Sequence, residues 1–226
     1  MIRFFNTFTK ITAYPVQKAC FNTKILYEDK SVQNRRIKGP AIVVSNHTSV
    51  YDYAVLLFVF FSRTVRYQMA EVLFKKKFLG VFLKMLGGIK VDRGSHDFAF
   101  MDKCEKILEK GGCVGIFPES RLPVEGEEKP LAFKPGAVTL ALTAGVPVIP
   151  VYTNGCYFGK VKVKTPDGKI KKQRAKVIIG TPVYPSDMYD ENKSEKQNIE
   201  DITAALRQKI IKLGRILNEK EQSTVI

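Results

Sequence analysis

The chain contains two histidines, and one of them, His47, stands where a catalytic base is expected. It follows the β-branched run 41–45, which predicts a buried strand. In α/β folds, ligands and catalytic groups collect at the carboxyl ends of strands. A neutral imidazole, with a pKa of about 6.5, is the usual general base near neutral pH. The sequence therefore predicts that His47 accepts a proton during catalysis, whereas His96, in the polar stretch 93–97, is predicted to be exposed.

Asp52, five positions after His47, is the candidate partner of this imidazole. On one continuous helix the two side chains would point about 140° apart, so they meet only if His47 lies in a loop and the helix begins near Ser49. The pattern Ser49-Val-Tyr-Asp52 is also that of a capping box, in which the carboxylate stabilises the amino end of the helix. The two interpretations are compatible, because a carboxylate in the first turn can also orient an imidazole.

The target of this base is indicated by the lack of a nucleophile motif in the sequence. No Gly-x-Ser-x-Gly motif occurs, and Cys113 lies inside an apolar run that predicts a core strand. The four cysteines are far apart, which predicts reduced thiols in a cytosolic compartment and no zinc ribbon. The base is therefore predicted to deprotonate the substrate itself, either an alcohol or water.

Charged side chains also follow two other predicted strands. Arg93 comes after the run 89–91, and Glu119 and Arg121 come after the run 113–116. Guanidinium groups bind phosphate through paired hydrogen bonds, so the two arginines are candidates for binding phosphate at one edge of the sheet. The alternative for each arginine is a surface salt bridge. Glu119, held behind a proline, is predicted either to hydrogen-bond substrate hydroxyls or to pair with Arg121.

The elements that must position these side chains alternate between strands and helices from residue 41 onward. Such alternation predicts one α/β domain with a largely parallel central sheet flanked by helices. A Pro-Asp-Gly turn at 166–168 predicts a hairpin that joins antiparallel strands at 161–164 and 174–179. The other predicted strands cover 41–45, 65–70, 89–91, 113–117 and 146–152, and the predicted helices cover 49–61, 73–86, 98–110, 136–144 and 198–217.

The first residues predict an amphipathic helix in front of this domain. Four apolar side chains, three of them aromatic, recur at helical spacing within residues 4–11, until Pro15 stops the pattern. Such a helix either lies in a membrane interface or packs on the body of the protein, and the sequence leaves both open. Residues 1–24 are interpreted as an amphipathic, membrane-associating segment and residues 25–226 as the α/β domain.

The composition is that of an ordered globular protein with a strong positive charge. The 226 residues include 37 Lys and Arg against 22 Asp and Glu, for a net charge of +15. Three stretches, 1–40, 63–93 and 160–176, each carry eight basic side chains and at most two acidic ones. This clustering favours an anionic partner, which can be nucleic acid, anionic lipid or a phosphorylated substrate. The longest apolar run, 53–61, is about half of the ~20 residues that a spanning helix needs, which argues against a transmembrane protein.

Taken in order, the motifs resemble the glycerolipid acyltransferase family, whose best-known members are the 1-acylglycerol-3-phosphate (lysophosphatidate) acyltransferases. Asn46 and His47, with Asp52, are similar to the family's Asn-His-x-x-x-x-Asp motif. The stretch 87–93 resembles the second motif, which ends in an Asp-Arg pair.

Two further motifs complete the resemblance. The stretch 117–121 is similar to the third motif, Phe-Pro-Glu-Gly-Thr-Arg, but has Ser120 in place of glycine and is one residue shorter before its arginine. The stretch 146–151 matches the fourth motif, a run of the Val-Pro-Ile-x-Pro-Val type. The resemblance covers residues 41–152, with all four motifs in the family order.

The resemblance implies a reaction and a role for each motif residue. The acyl donor would be a thioester, acyl-CoA or acyl carrier protein, and no metal or redox cofactor is implied. His47 would remove the proton from the free hydroxyl of lysophosphatidate while Asp52 orients the imidazole. The oxygen would then attack the thioester carbonyl and give phosphatidate, in phospholipid synthesis. The residues implied to bind the acceptor are Asn46, Arg93, Glu119, Ser120 and Arg121.

A lipid acceptor also suggests how the protein reaches a membrane. The stretch 74–84 mixes large apolar side chains with lysines, a pattern that can dip into an anionic surface. The alternative is a core helix with a lysine edge. Together with the amino-terminal helix, this stretch predicts peripheral association with the cytoplasmic face of a membrane.

Other functions fit part of the sequence. An acyltransferase for a different lysophospholipid would carry the same motifs. A basic nucleic-acid-binding protein would explain the charge, but the sequence has no helix-turn-helix, zinc or aromatic RNA-binding motif, and His47 would have no role. A family member with only a scaffold role is disfavoured because both His47 and Asp52 are present.

Overall fold

A mostly parallel sheet lies at the centre of the computed structural model, which describes residues 1–92, 99–155, 162–164, 170–172 and 174–222. Seven of the strands in this part of the chain form the sheet, and two more form a separate antiparallel pair. The sheet strands are β1 (Lys24–Tyr27), β2 (Ala41–Ser45), β3 (Val65–Ala70), β4 (Ile89–Val91), β5 (Cys113–Ile116), β6 (Val148–Thr153) and β9 (Lys176–Ile179), and the separate pair is β7 (Lys162–Lys164) and β8 (Ile170–Lys172).

The strand order is β1-β9-β6-β2-β5-β3-β4, and every pairing is parallel except that of β6 with β9. β2 lies in the middle, between β5 and β6, and all five of its residues are buried. A continuous β-branched run is what a parallel strand covered on both faces requires. The predicted α/β fold with a largely parallel sheet is confirmed.

Helices cover both faces of the sheet. Ala41 and Val43 pack with α3 on one face, whereas Ile42 and Val44 pack with α6, α7 and α8 on the other, as the alternation of side chains along a strand demands. The helices are α1 (Ile2–Thr12), α2 (Tyr14–Cys20), α3 (Asp52–Val59), α4 (Val72–Lys75), α5 (Lys77–Leu86), α6 (Ala99–Glu109), α7 (Gly136–Ala144) and α8 (Glu195–Gln222), with a short 3₁₀ helix at Pro185–Met188.

The segment predicted as one helix over 73–86 is two helices that pack against each other. Lys76 adopts an extended conformation between α4 and α5 and breaks the helix. Gly80 makes this sharp turn possible, because a Cβ added there would lie 2.4 Å from the carbonyl oxygen of Phe74. The apolar spacing is continuous across the break, which is why the pattern predicted a single helix.

The amino-terminal helix packs with its polar side toward the protein. Asn6 and Lys10 are buried, whereas Phe4 and Phe8 are exposed to solvent. The Asn6 amide donates a hydrogen bond to the carbonyl of Leu86 at 3.0 Å, at the end of α5. The helix thus packs on the body of the protein and at the same time presents aromatic rings outward. The next helix, α2, was not predicted. Pro15 lies in its first turn, where the backbone N–H has no partner within the helix, so the proline does not end the helical region.

An antiparallel pair of strands is present where the hairpin was predicted, with a different second strand. β7 pairs with β8, not with the stretch 174–179. That stretch contains β9, which pairs parallel with β1 and antiparallel with β6 in the main sheet. The predicted turn at 166–168 lies outside the described residues.

Candidate active site

The candidate base lies at the carboxyl edge of the sheet. His47 occupies the loop that follows β2, and Asp52 is the first residue of α3. The helix therefore begins three residues later than the position near Ser49 that the spacing suggested. This arrangement lets the chain turn back, so that the Asp52 carboxylate reaches the ring of His47.

Asp52 is fully buried and holds the imidazole in one orientation. Its Oδ2 lies 2.9 Å from Nδ1 of His47 and accepts the backbone N–H groups of Thr48 and Ser49 at 2.6 and 2.9 Å. Its Oδ1 accepts the hydroxyl of Thr48 at 3.2 Å. Because Oδ2 accepts hydrogen bonds at this point, we assign the ring proton to Nδ1, which leaves Nε2 free to accept a proton. Asp52 lies in the first turn of α3, where a negative charge is favourable. The N-cap is Tyr51 and no side chain of the described residues caps the helix, so the predicted capping box is not formed.

Aromatic rings hold the imidazole from one side. The ring of His47 stacks on Phe117, with centroids 4.3 Å apart and planes 20° apart. Phe117 in turn stacks on Tyr67, a fully buried residue of β3. The side chain of His47 remains 21% exposed, so a substrate can approach the ring.

Glu119 joins the loop after β5 to the loop that carries His47. Its Oε1 accepts the backbone N–H of His47 at 2.7 Å, and its Oε2 accepts the backbone N–H of Leu131 at 2.9 Å. The carboxyl is buried, and this burial raises its pKa. Sequence reasoning placed Glu119 on substrate hydroxyls or on Arg121, and it missed these two bonds to the backbone.

Asn46 ties the ends of two neighbouring strands together. Its amide donates to the carbonyl of Thr153 at 2.9 Å and accepts the N–H of Thr153 at 2.7 Å. The side chain is buried. Both the nitrogen and the oxygen of the amide therefore have hydrogen-bond partners in the structure. These two bonds fix the end of β2, directly before His47.

Arg121 lies at the rim of the site and is paired. Its guanidinium binds both carboxylate oxygens of Glu127, at 2.7 and 2.5 Å, and this pairing lowers the pKa of Glu127 to about 2. The side chain of Arg121 is 53% exposed. The salt-bridge alternative thus describes this structure, and a ligand phosphate would compete with Glu127. Arg93, the other predicted phosphate ligand, lies outside the described residues.

The backbone conformation of Ser120 is one that favours glycine, the residue found at this position in the related motif. It adopts the left-handed conformation, with φ of +63°, and its N–H closes a turn onto the carbonyl of Phe117 at 3.1 Å. Glycine adopts this conformation without the penalty that a side chain incurs. The serine thus adopts a conformation that glycine adopts more readily.

A cavity of about 1030 Å³ opens beside His47, and we refer to it as the large cavity. His47 and Arg121 line one part of it, and the rest is largely apolar. Its volume is at the upper end of the range of about 300–1,000 Å³ typical of small-molecule sites. Sequence reasoning did not find it, because its apolar walls come from distant elements. These include Met69, Leu73, Leu79, Leu83, Phe100 and Met101.

Two features are absent from the described residues. No group of three or more His, Cys, Asp or Glu side chains there is placed to hold a metal ion. Within the same residues, no helix is both long and apolar enough to cross a bilayer.

The combination of a buried acid, an oriented imidazole and an apolar cavity fits transfer chemistry on a lipid-like substrate, and the comparisons with known proteins agree. The Acyltransferase family model matches residues 24–154. A 1-acyl-sn-glycerol-3-phosphate acyltransferase of Bacillus subtilis is 29% identical, over 79% of this chain and 83% of its own length. The protein of the same name from Pseudomonas aeruginosa is 32% identical, over 71% of this chain and 60% of its own.

A solved structure shows the same fold. The crystal structure of the 1-acyl-sn-glycerophosphate acyltransferase from Thermotoga maritima aligns with a TM-score of 0.58 at 22% identity. The alignment covers 92% of this chain and 78% of that one. The family match spans more than half of the sequence and includes His47, Asp52 and Glu119. The chain therefore belongs to the acyltransferase family.

Proposed function

We propose that the protein transfers a fatty acyl group from an acyl thioester to the free hydroxyl of lysophosphatidate, and so forms phosphatidate in phospholipid synthesis. The observation that carries this proposal is the 2.9 Å contact between His47 and Asp52 beside the large cavity. The names of the Bacillus and Pseudomonas relatives support the choice of acceptor. The donor is either acyl-CoA or acyl carrier protein.

The reaction begins at Nε2 of His47. This nitrogen takes the proton of the acceptor hydroxyl, and the oxygen attacks the carbonyl carbon of the thioester. The carbon–sulfur bond then breaks, and the imidazolium returns the proton to the departing thiolate. Asp52 stabilises the imidazolium between these two steps. Because a thioester is already activated, the mechanism needs no acyl-enzyme, metal or redox cofactor.

The acceptor binds with its chain in the large cavity and its phosphate at the rim. Arg121 releases Glu127 and binds the phosphate in its place. Arg93 is the second proposed phosphate ligand. Ser120 lies in the same turn as Glu119 and Arg121 and borders the large cavity. Asn46 and Glu119 act on the acceptor indirectly, since their described hydrogen bonds position the loop of His47.

The protein associates peripherally with the cytoplasmic face of a membrane, through residues 1–24 and α5. Phe4 and Phe8 on α1, and Phe78 and Val81 on α5, are exposed, and the two helices contact each other through the rings of Phe5 and Phe82. Together they form an apolar surface that an interface between lipid and water would cover.

His47→Ala tests the function directly. Purified protein with acyl-CoA and lysophosphatidate should release free thiol, and the substitution should reduce the rate by at least about 10²–10⁴-fold, since a general base contributes that much. The variant should still unfold in one cooperative thermal transition, which is the check that the loss of rate is not a loss of fold. His96→Ala, which removes the other histidine of the chain, is the matched control. If His47→Ala still releases thiol at the original rate, the mechanism is contradicted. If the unaltered chain turns over only with another lysophospholipid, that lipid and not lysophosphatidate is the acceptor.

A further inference from the structure

A second cavity, of about 420 Å³, lies at the other edge of the sheet, and we refer to it as the basic pocket. The structure shows no acidic side chain among the described residues that line it, whereas six are cationic. These are Arg3, Arg63, Arg66, Lys103, Lys106 and Lys110.

The basic pocket is separate from the candidate active site. It adjoins the amino ends of β3 and β5, whereas His47 follows the carboxyl end of β2. Gly112 lines the basic pocket and Phe117 lines the large cavity. The extended strand between these two residues places them roughly 16 Å apart, at about 3.3 Å per residue.

The floor of the basic pocket is held by backbone contacts. The guanidinium of Arg63 donates to the carbonyls of Gly39 and Gly111, at 2.6 and 2.8 Å. The adjoining chain is also closely packed, because a Cβ at Gly112 would lie 2.6 Å from the carbonyl oxygen of Ile107. The floor of the pocket is therefore held in place before any ligand binds.

One wall is held by a buried lysine of the amino-terminal helix. Lys10 donates to the carbonyls of Phe60, Phe61 and Arg63, at 3.0, 3.2 and 2.7 Å. These carbonyls belong to the turn between α3 and β3, and the same turn continues into the basic pocket. The helix that carries Arg3 is thus fastened to the residues opposite it.

The other cations of the pocket are free to bind an anion. The described ion pairs of the protein engage other basic residues, and Arg3, Arg66 and the three pocket lysines contact no carboxylate within the residues that the structure describes. Side chains of one charge sign in one concave site repel one another and raise the local positive potential. A bound anion would remove that repulsion.

The surroundings indicate which anion fits. A concavity of this size suits a small headgroup with several negative oxygens better than the broad face of an acidic protein. Arg66 and Ile2 both approach Gly87, and Arg3 is followed by the exposed ring of Phe4. The pocket therefore opens beside the apolar surface of α1 and α5. We propose that the basic pocket binds the phosphate-bearing headgroup of an anionic phospholipid, as a membrane-anchoring site distinct from the active site.

The proposal rests on the proposed membrane association, and sedimentation with vesicles tests it. The pocket variant carries Lys103→Gln, Lys106→Gln and Lys110→Gln, three exposed positions. Its binding to vesicles of phosphatidylcholine mixed with phosphatidylglycerol should fall on the order of 10- to 100-fold. The matched control removes the same charge from exposed positions of α8, by Lys196→Gln, Lys212→Gln and Arg215→Gln, and should change binding by less than about threefold.

The outcomes separate this site from the catalytic one. His47→Ala should bind the mixed vesicles as the unaltered chain does, and the pocket variant should turn over detergent-dispersed substrates at the unaltered rate. If the two triple variants weaken vesicle binding equally, the effect depends on net charge alone and the proposal is overturned. Tight binding of duplex DNA that depends on the same three lysines would also overturn it. So would glycerol phosphate binding to the pocket as strongly as the vesicles do.

Discussion

The two edges of the sheet, where the strands end and where they begin, differ in whether their charged side chains are paired. At the carboxyl edge three charged side chains have fixed partners: Asp52 with His47, Glu119 with two backbone N–H groups, and Arg121 with Glu127. At the amino edge most of the cations in the basic pocket face no carboxylate among the described residues. Pairing fixes geometry, which proton transfer requires, whereas unpaired charge keeps affinity for an external partner. The difference suggests that one edge carries the reaction and the other carries attachment.

After His47→Ala, the largest effect on the carboxyl edge is expected from Asp52→Asn. The amide cannot accept all the N–H groups that now converge on Oδ2, and it would favour the wrong tautomer of His47. Turnover with acyl-CoA and lysophosphatidate should fall on the order of 10²–10⁴-fold. Vesicle binding through the basic pocket should stay within a few-fold, on the argument that distant sites act independently. A variant that keeps more than about a tenth of its rate would show that the pairing is not needed for proton transfer.

A smaller effect is expected from Glu119→Gln, which distinguishes positioning from substrate binding. Glutamine offers one acceptor oxygen where the carboxylate now serves the N–H groups of His47 and Leu131. Losing one charge-assisted bond costs about 1.5–3 kcal/mol, so kcat should fall roughly 10- to 100-fold. KM should stay nearly constant, because Glu119 contacts the backbone of the His47 loop and not the acceptor. If KM rises alone, Glu119 binds the acceptor, as the motif resemblance implied.

The smallest effect on turnover is expected from Lys10→Met, which acts near the amino edge. Methionine fills the space but leaves three carbonyls without their donor. The free energy of unfolding, measured in urea, should fall by about 1–3 kcal/mol. Turnover of detergent-dispersed substrates should change less than about threefold, because the contacts of His47 remain. Lys18→Met, at an exposed position of α2, is the control and should cost less than about 0.5 kcal/mol.

The same variant has an expected dependence on pH. Burial lowers the pKa of Lys10 from 10.5 to about 8. Between these values the unfolded chain binds more protons than the folded one, so the contribution of Lys10 to stability rises with pH. The difference in unfolding free energy between the unaltered chain and Lys10→Met should therefore grow from pH 8 to 10.5. A difference that shrinks over this range would show that the buried group stays charged.

The sequence predicted several strands with their bounds, because β2 is an unbroken apolar run buried on both faces and β3 alternates buried with half-buried residues. The bounds of β2, β3 and β4 match the predicted runs. β1 was missed, since it is a short strand at the edge of the sheet, with Lys24 exposed and its other three residues only half-buried. The break at Lys76 was missed because the close approach of Gly80 to Phe74 depends on tertiary packing.

The site was predicted in part, for a similar reason. The spacing of His47 and Asp52 allowed contact, and the motifs supplied the candidates. The partners of Glu119 were not predictable, because Leu131 lies in a loop with no pattern of its own. The basic pocket was missed because its cations come from residues 3–110 and only the fold gathers them.

α1 packs with its polar side toward the protein, which leaves apolar rings facing water in the isolated chain. With Asn6 and Lys10 turned inward, Phe4 and Phe8 remain 76% and 54% exposed. Away from a bilayer, those rings can escape water only against detergent or another copy of the chain. A purified sample in plain buffer should therefore self-associate through its first helix, and a mild surfactant should disperse it without disturbing the sheet.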